Sequence, residues 1–155
     1  MTKGFYGGSF DPFTNGHLHV VQKAAQMLDE VVVGIGVNPD KKRRFDVEEM
    51  KFAMRQVMNR YQLTNVSIIY YDNLTVDAAK ERGATLLIRG LRNGMDYEAE
   101  ENLAQINEEI SGLDTVYVRA GKMGYISSSM VMELLKHGKD VSKYLPEEVL
   151  KLVVK

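Results

Sequence analysis

Four separated stretches of this 155-residue chain carry side chains and turns able to grip phosphate oxygens. The first is Gly7-Gly8-Ser9-Phe10-Asp11-Pro12-Phe13-Thr14-Asn15-Gly16-His17, which passes from an apolar strand directly into a stretch of helical period. Its paired glycines let backbone come close to a ligand, and Ser9 adds a hydroxyl donor. Gly16 and His17 stand where unpaired amides and the positive end of a helix dipole attract anions. The His17 imidazole can donate a hydrogen bond to a phosphate oxygen as charge builds on it. The same residues also fit a tight strand-to-helix turn in which Asp11 or Asn15 caps the helix and His17 lies on the surface.

The second stretch, Asn38-Pro39-Asp40-Lys41-Lys42-Arg43-Arg44, places four cations in succession. Lys41, nearest the strand end, is the phosphate candidate, because a flexible ammonium can follow a phosphate from ground state to transition state. Lys42, Arg43 and Arg44 are expected to form a solvated face. The third, Ile88-Arg89-Gly90-Leu91-Arg92, puts two guanidinium groups three residues apart around a glycine. Ending a buried strand in Arg is costly unless an anion meets it, and Arg is suited to bidentate phosphate recognition. The acids between Asp96 and Glu101 are alternative partners. Both arrangements can hold together if Glu100 positions one Arg while the other meets substrate. The fourth, Gly121-Lys122-Met123-Gly124-Tyr125-Ile126-Ser127-Ser128-Ser129, leads into the helical stripe Val131, Leu134 and Leu135. Its hydroxyls and amides at a helix start describe either an anion cradle or simple capping.

What must position these loops is an α/β framework. Short aliphatic runs at 3–7, 30–36, 65–71, 85–89 and 114–119 alternate with helical stretches, the mark of βαβ units and a parallel sheet. Val20, Val21, Ala24 and Leu28 recur at helical spacing, as do Val47, Met50, Met54, Val57 and Tyr61. Ala99, Leu103, Ile106 and Ile110 form a third stripe, with Glu98, Glu101, Glu108 and Glu109 expected to face water. Pro12, Pro39 and Pro146 fall between these segments, as proline's missing donor requires. The expected fold is a single Rossmann-like doubly wound domain over 1–155, a five-stranded parallel sheet of order 3-2-1-4-5 flanked by helices. In such a sheet ligands bind beyond the carboxyl ends of the strands, where strand order reverses. Loops 1 and 4 then flank the crevice, with loops 2 and 3 on one side and loop 5 on the other.

Composition narrows the function. Twenty Lys and Arg against 21 Asp and Glu give a net charge of -1, with no overall pull towards nucleic acid or an anionic membrane. The absence of Cys removes thiol nucleophiles and thiolate metal sites and suits a reducing compartment. No apolar run approaches the roughly 20 residues that cross a bilayer. With no leader-like segment before the first motif, a cytoplasmic enzyme is expected, its metal arriving with substrate.

Taken together, these motifs resemble the phosphopantetheine adenylyltransferases along essentially the whole chain. The resemblance rests on a Thr/His-x-Gly-His signature, here Thr14-Asn15-Gly16-His17, and a late Ile-Ser-Ser-Ser/Thr element at 126–129. It implies transfer of AMP from ATP to 4'-phosphopantetheine, giving dephospho-coenzyme A and pyrophosphate with Mg2+ bound to ATP. By position, His17, Lys41 and Arg92 would be catalytic, and Ser9, Lys41, Thr75 and Arg89 would contact the acceptor. Ser9, Phe10, His17, Gly90, Leu91, Arg92, Glu100, Met123, Gly124, Tyr125, Ile126, Ser127, Ser128 and Ser129 would hold ATP. The resemblance also implies a homohexamer and feedback inhibition by coenzyme A. The nine Met residues suit either an adaptable interface or the core. Gly7 departs from the family, which often has Pro there, and gives the opening a likeness to nicotinate mononucleotide adenylyltransferases. Against that rival, Thr14 stands where it usually has His, and no Arg follows in Met130-Val131-Met132. Met123 stands where an aromatic is frequent.

Overall fold

Runs of β-branched and aliphatic residues become five strands: β1 (Lys3–Gly8), β2 (Glu30–Gly36), β3 (Val66–Tyr71), β4 (Leu86–Leu91) and β5 (Thr115–Arg119). All pair in parallel, in the order β3-β2-β1-β4-β5. The structure is a computed structural model that describes residues 1–92 and 94–155, apart from the side chains of 94–96, 98 and 99. Both faces of the sheet are covered. Phe5, Val32, Ile69 and Leu87 pack with Val76, Ala78 and Ala79 on one side, while Tyr6, Val31, Val33, Ile35 and Ile88 join a larger cluster on the other. Burial on both faces explains why the strands read as unbroken apolar runs. Each fully buried Val, Ile or Phe contributes about 1.5–3 kcal/mol.

The helices are α1 (Asn15–Met27), α2 (Val47–Arg60), α3 (Thr75–Glu81), α4 (Gly94–Ser111), α5 (Ser128–Lys136) and α6 (Glu147–Val153). Leu18, Val20, Val21 and Ala24 of α1 and Met50, Met54, Val57 and Met58 of α2 are buried. Methionine therefore fills the core beneath α2. Tyr61, which follows α2 and ends its apolar stripe in the sequence, is 41% exposed. The helices α3 and α6 have seven residues each, too few for a periodic pattern to reveal. Bidentate pairing of Arg60 with Glu148 at 2.6 and 2.8 Å fastens α6 to α2.

Two differences from the sequence expectation matter for function. Strand β4 continues to Leu91, so Arg89 and Gly90 lie within the sheet, opposite Tyr117 and Val118 of β5. The apolar stripe of α4 does not face the core: Leu103, Ile106 and Ile110 are 47%, 53% and 60% exposed. The helix instead turns carboxylates towards the sheet, Glu100 to Arg89 and Glu101 to the Tyr117 hydroxyl at 2.8 Å. Glu108 and Glu109 do face water. The side chains of Glu98 and Ala99, read as parts of the two faces, lie outside the described residues. Among the described residues no helix is long and apolar enough to cross a membrane.

Candidate active site at the strand ends

Two adjoining hollows, of about 310 and 390 Å3, open across the carboxyl ends of the strands. The first lies between the β1–α1 turn, the end of β4 and the start of α5; the second lies over the ends of β1, β2 and β3. Gly7, Gly8, Ser9 and Arg89 belong to both.

His17 lines the first hollow together with Arg92, so two residues 75 positions apart in the chain share one cavity. Its setting starts with Thr14, which is fully buried and caps α1. The His17 amide donates to Thr14 Oγ1 at 3.3 Å, and the Thr14 amide donates to His17 Nδ1 at 3.0 Å. This is a capping box with His at the position where Glu or Gln is usual. Thr14, not Asp11 or Asn15, is thus the cap, and the imidazole is half-buried and not a surface group. Phe10 meets the ring edge-on at 4.9 Å and Phe13 stacks on it at 5.7 Å. A backbone amide can only donate, so Nδ1 is the acceptor and the neutral ring carries its proton on Nε2. Burial first, then the charges of Arg92 and Arg89, lower the His17 pKa to about 4. At neutral pH the residue is therefore an uncharged donor with its tautomer set by the helix cap.

Arg89 is held on two sides. Its Nε and Nη2 donate to the Glu100 carboxylate at 2.7 and 2.9 Å, and Nη1 donates to the Gly7 carbonyl at 2.9 Å. The bond to Glu100 raises the Arg89 pKa still further, so its charge is permanent. Pairing with an acid and a position in both hollows hold together, since the guanidinium has five N–H groups. The buried Tyr6 hydroxyl beneath them has its pKa pushed up by burial. At the far wall, Ser127 caps α5 by accepting from the Met130 amide at 3.1 Å, and Ser128 donates to the Pro12 carbonyl at 2.7 Å. Gly16 lets α1 approach this wall: a Cβ there would stand 3.3 Å from the carbonyl oxygens of Met123 and Ile126.

In the cationic run after β2, Lys42 and Arg44 are exposed as the solvated-face reading expects, and Arg43 is the departure from it. Arg43 reaches back to the first loop, donating to the Ser9 carbonyl at 2.6 Å and pairing with Asp11 at 3.5 Å. The Asp11 carboxylate also accepts the Arg44 and Phe45 amides at 2.7 and 3.0 Å. Arg44 Nη1 donates to the Asp11 carbonyl at 2.8 Å. These cations bind carbonyls and a buried carboxylate because the loop after β1 turns its polar backbone towards them. Lys41 and Lys42 remain exposed, and Lys41 sits two residues beyond Pro39, which lines the second hollow.

Of the other residues singled out, Phe10, Gly90, Glu100, Met123, Ile126, Ser127 and Ser128 line the first hollow and Thr75 the second. Leu91, Gly124, Tyr125 and Ser129 line neither, and Tyr125 is 62% exposed with its ring against Tyr144. Tyr6 and Tyr71 also stand in the hollow walls, and the sequence signals them only by lying at or near strand ends, where the sheet rule directs attention. Among the described residues no group of three or more His, Asp or Glu side chains is assembled that could hold a metal ion. What the arrangement offers chemically is neutralisation and orientation of phosphate oxygens from fixed donors.

Comparison with known proteins shows the family and the fold. Residues 5–134 match the cytidylyltransferase-like family. The phosphopantetheine adenylyltransferase of Porphyromonas gingivalis is 41% identical over 145 residues, 92% of each chain. That of Nocardioides sp. is 42% identical, covering 96% of this chain and 93% of the relative. That of Lachnoclostridium phytofermentans is 40% identical over 155 residues, 99% of this chain and 94% of the relative. A putative nicotinate-nucleotide adenylyltransferase structure from Vibrio parahaemolyticus superposes with a TM-score of 0.67 at 18% identity, covering 99% of both chains, a likeness of fold. Matched along nearly its whole length by these relatives, the chain belongs to the phosphopantetheine adenylyltransferase family.

Proposed function

We propose that this chain transfers AMP from ATP to 4'-phosphopantetheine, yielding dephospho-coenzyme A and pyrophosphate in coenzyme A biosynthesis. The observation that carries the reading is the shared wall of the two hollows. A triphosphate in the first and an acceptor phosphate in the second would meet at Ser9 and Arg89. An acceptor oxygen attacks the α-phosphorus in line, the bond to the bridging oxygen breaks, and pyrophosphate leaves with that electron pair. No protein nucleophile is required, so catalysis is positioning and charge stabilisation. His17 Nε2–H, Arg89 and Arg92 supply donors in the first hollow, and Lys41 reaches the acceptor phosphate from the loop after β2. Gly90, Arg92, Met123 and Ile126, with Ser127 and Ser128 at the α5 amino terminus, surround the ATP phosphates, and the rest of the nucleotide extends towards Leu91, Gly124, Tyr125 and Ser129. Magnesium bound with ATP would supply neutralisation of phosphate charge, while Arg89, Arg92 and the α5 amino terminus would hold the triphosphate itself.

Pyrophosphate release from ATP with 4'-phosphopantetheine, compared with nicotinate mononucleotide, tests the reading. Release with the first acceptor alone is the expected result. Release only with the second would move the chain to the rival activity, and release with neither would make it a nucleotide-binding protein without chemistry. A second expectation concerns Lys41→Ala. Separate calorimetric titrations should show weaker acceptor binding with ATP binding little changed; an equal loss for both ligands would reject the division between hollows.

A cytosolic setting, a homohexamer and inhibition by coenzyme A belong to the same reading, as what resemblance to the family implies. The hexamer has support in the exposed stripe Leu103, Ile106 and Ile110 on α4 and in Val116 on the edge strand β5. A second copy of the chain would remove these groups from water, and exposed contiguous apolar surface commonly marks such contacts.

A further inference from the structure

Tyr71 ends β3 at the floor of the second hollow, and its hydroxyl lies 2.9 Å from Thr75 Oγ1, at the first residue of α3. Among the described residues no side chain caps α3, whose preceding residue is Leu74, and the Thr75 hydroxyl is held by its hydrogen bond with Tyr71. The Tyr71 ring lies where glycine has cleared space on two neighbouring strands. A Cβ at Gly34 would stand 2.9 Å from Tyr71 Cε1, and one at Gly36 would stand 3.2 Å from its hydroxyl. A Cβ at Gly7 would stand 2.6 Å from that hydroxyl, closer than real Cβ contacts come. Phe5 holds the ring edge-on at 5.4 Å. Gly7 is also the residue whose carbonyl anchors Arg89, so one glycine admits the tyrosine and ties the arginine at the boundary between the hollows.

We propose that Tyr71 is a positioning residue for the acceptor: admitted by the bare backbone at Gly7, its hydroxyl fixes the Thr75 hydroxyl to bond the polar, amide-bearing arm of the acceptor. The absence of a side chain at position 7 is thereby coupled to the hydroxyl at position 71. The pair fixes where the arm lies and leaves the reacting phosphates to other groups. This proposal rests on the acceptor occupying the second hollow.

Steady-state kinetics with ATP and 4'-phosphopantetheine test it, with thermal midpoints recorded for every variant. Tyr71→Phe should raise KM for the acceptor about fivefold, the worth of one hydrogen bond, while kcat and KM for ATP move less than about twofold. Thr75→Val should give a rise of similar size, and the Tyr71→Phe/Thr75→Val pair should be no worse than either alone. Gly7→Ala should lower the thermal midpoint, and Tyr71→Phe in that background should recover part of the loss, because it removes the atom in collision. An unchanged acceptor KM in Tyr71→Phe, or additive effects in the pair, would overturn the proposal while the wild type still makes dephospho-coenzyme A. Failure of the wild type to use this acceptor would instead overturn the functional reading itself.

Discussion

Replacing His17 by alanine is expected to lower turnover by at least about tenfold, since loss of one preorganised donor to a developing oxyanion commonly costs about 100- to 1,000-fold. The capping box makes a sharper comparison possible. His17→Gln keeps a side-chain acceptor at the third helical position for the Thr14 amide, whereas His17→Ala leaves that amide unpaired beside a fully buried residue. The glutamine variant should therefore recover helix-cap stability, about 1 kcal/mol, but not turnover. Near-wild-type turnover in either purified variant would remove His17 from the mechanism.

The same residue sets a pH signature. Its folded pKa is lowered from 6.5 to about 4, so between these values the unfolded chain binds a proton that the folded chain refuses. Stability is then highest above pH 6.5 and falls as pH drops towards 4, by on the order of 3 kcal/mol from this group. In the enzyme without ligands the His17 C2–H resonance should titrate near 4. A resonance titrating near 6.5 would contradict the lowered pKa described above. Bound triphosphate opposes the charges of Arg92 and Arg89 and should raise this pKa, which the same measurement reads with a non-reactive ATP analogue.

Asp11→Ala should cost about 2–4 kcal/mol of stability, because it strands the Arg44 and Phe45 amides and removes the partner of a largely buried Arg43. In a chain of this size that is a fall of roughly 5–15 °C in thermal midpoint. Because this carboxylate joins the loop carrying Ser9 to the loop carrying Lys41, KM should rise for both ATP and acceptor. Asp11→Asn retains one carbonyl acceptor and should fall between the two. A thermal midpoint for Asp11→Ala within a degree of wild type would show that Arg43, through the carbonyls of Ser9, Phe10 and Phe45, holds the loops without the carboxylate.

Much of this architecture is legible in local pattern. Unbroken apolar runs such as Val31-Val32-Val33 announce parallel strands buried on two faces, and the stripes of α1 and α2 announce helices packed on them. From the sheet rule it follows that His17, Arg89, Arg92 and the serines after Ile126 gather at one end of the molecule, though 112 positions separate His17 from Ser129. Periodicity is blind to partners. The cations at 43 and 44 and the carboxylate at 11 lie 33 residues apart or nearly so, and nothing local distinguishes a clamp from a solvated run. The stripe on α4 has the same spacing as a core stripe, yet it is left exposed because Glu100 and Glu101 bind Arg89 and Tyr117 and turn the opposite face outward. Tyr71 needed three glycines from two other strands to be brought beneath it before its hydroxyl could reach Thr75. Short-range residue order thus sets which segments become strands and helices, because backbone sterics and apolar spacing act within a few residues. Which charges pair, which face is covered and which hydroxyl lines a hollow depend on contacts that exist only once the sheet has assembled.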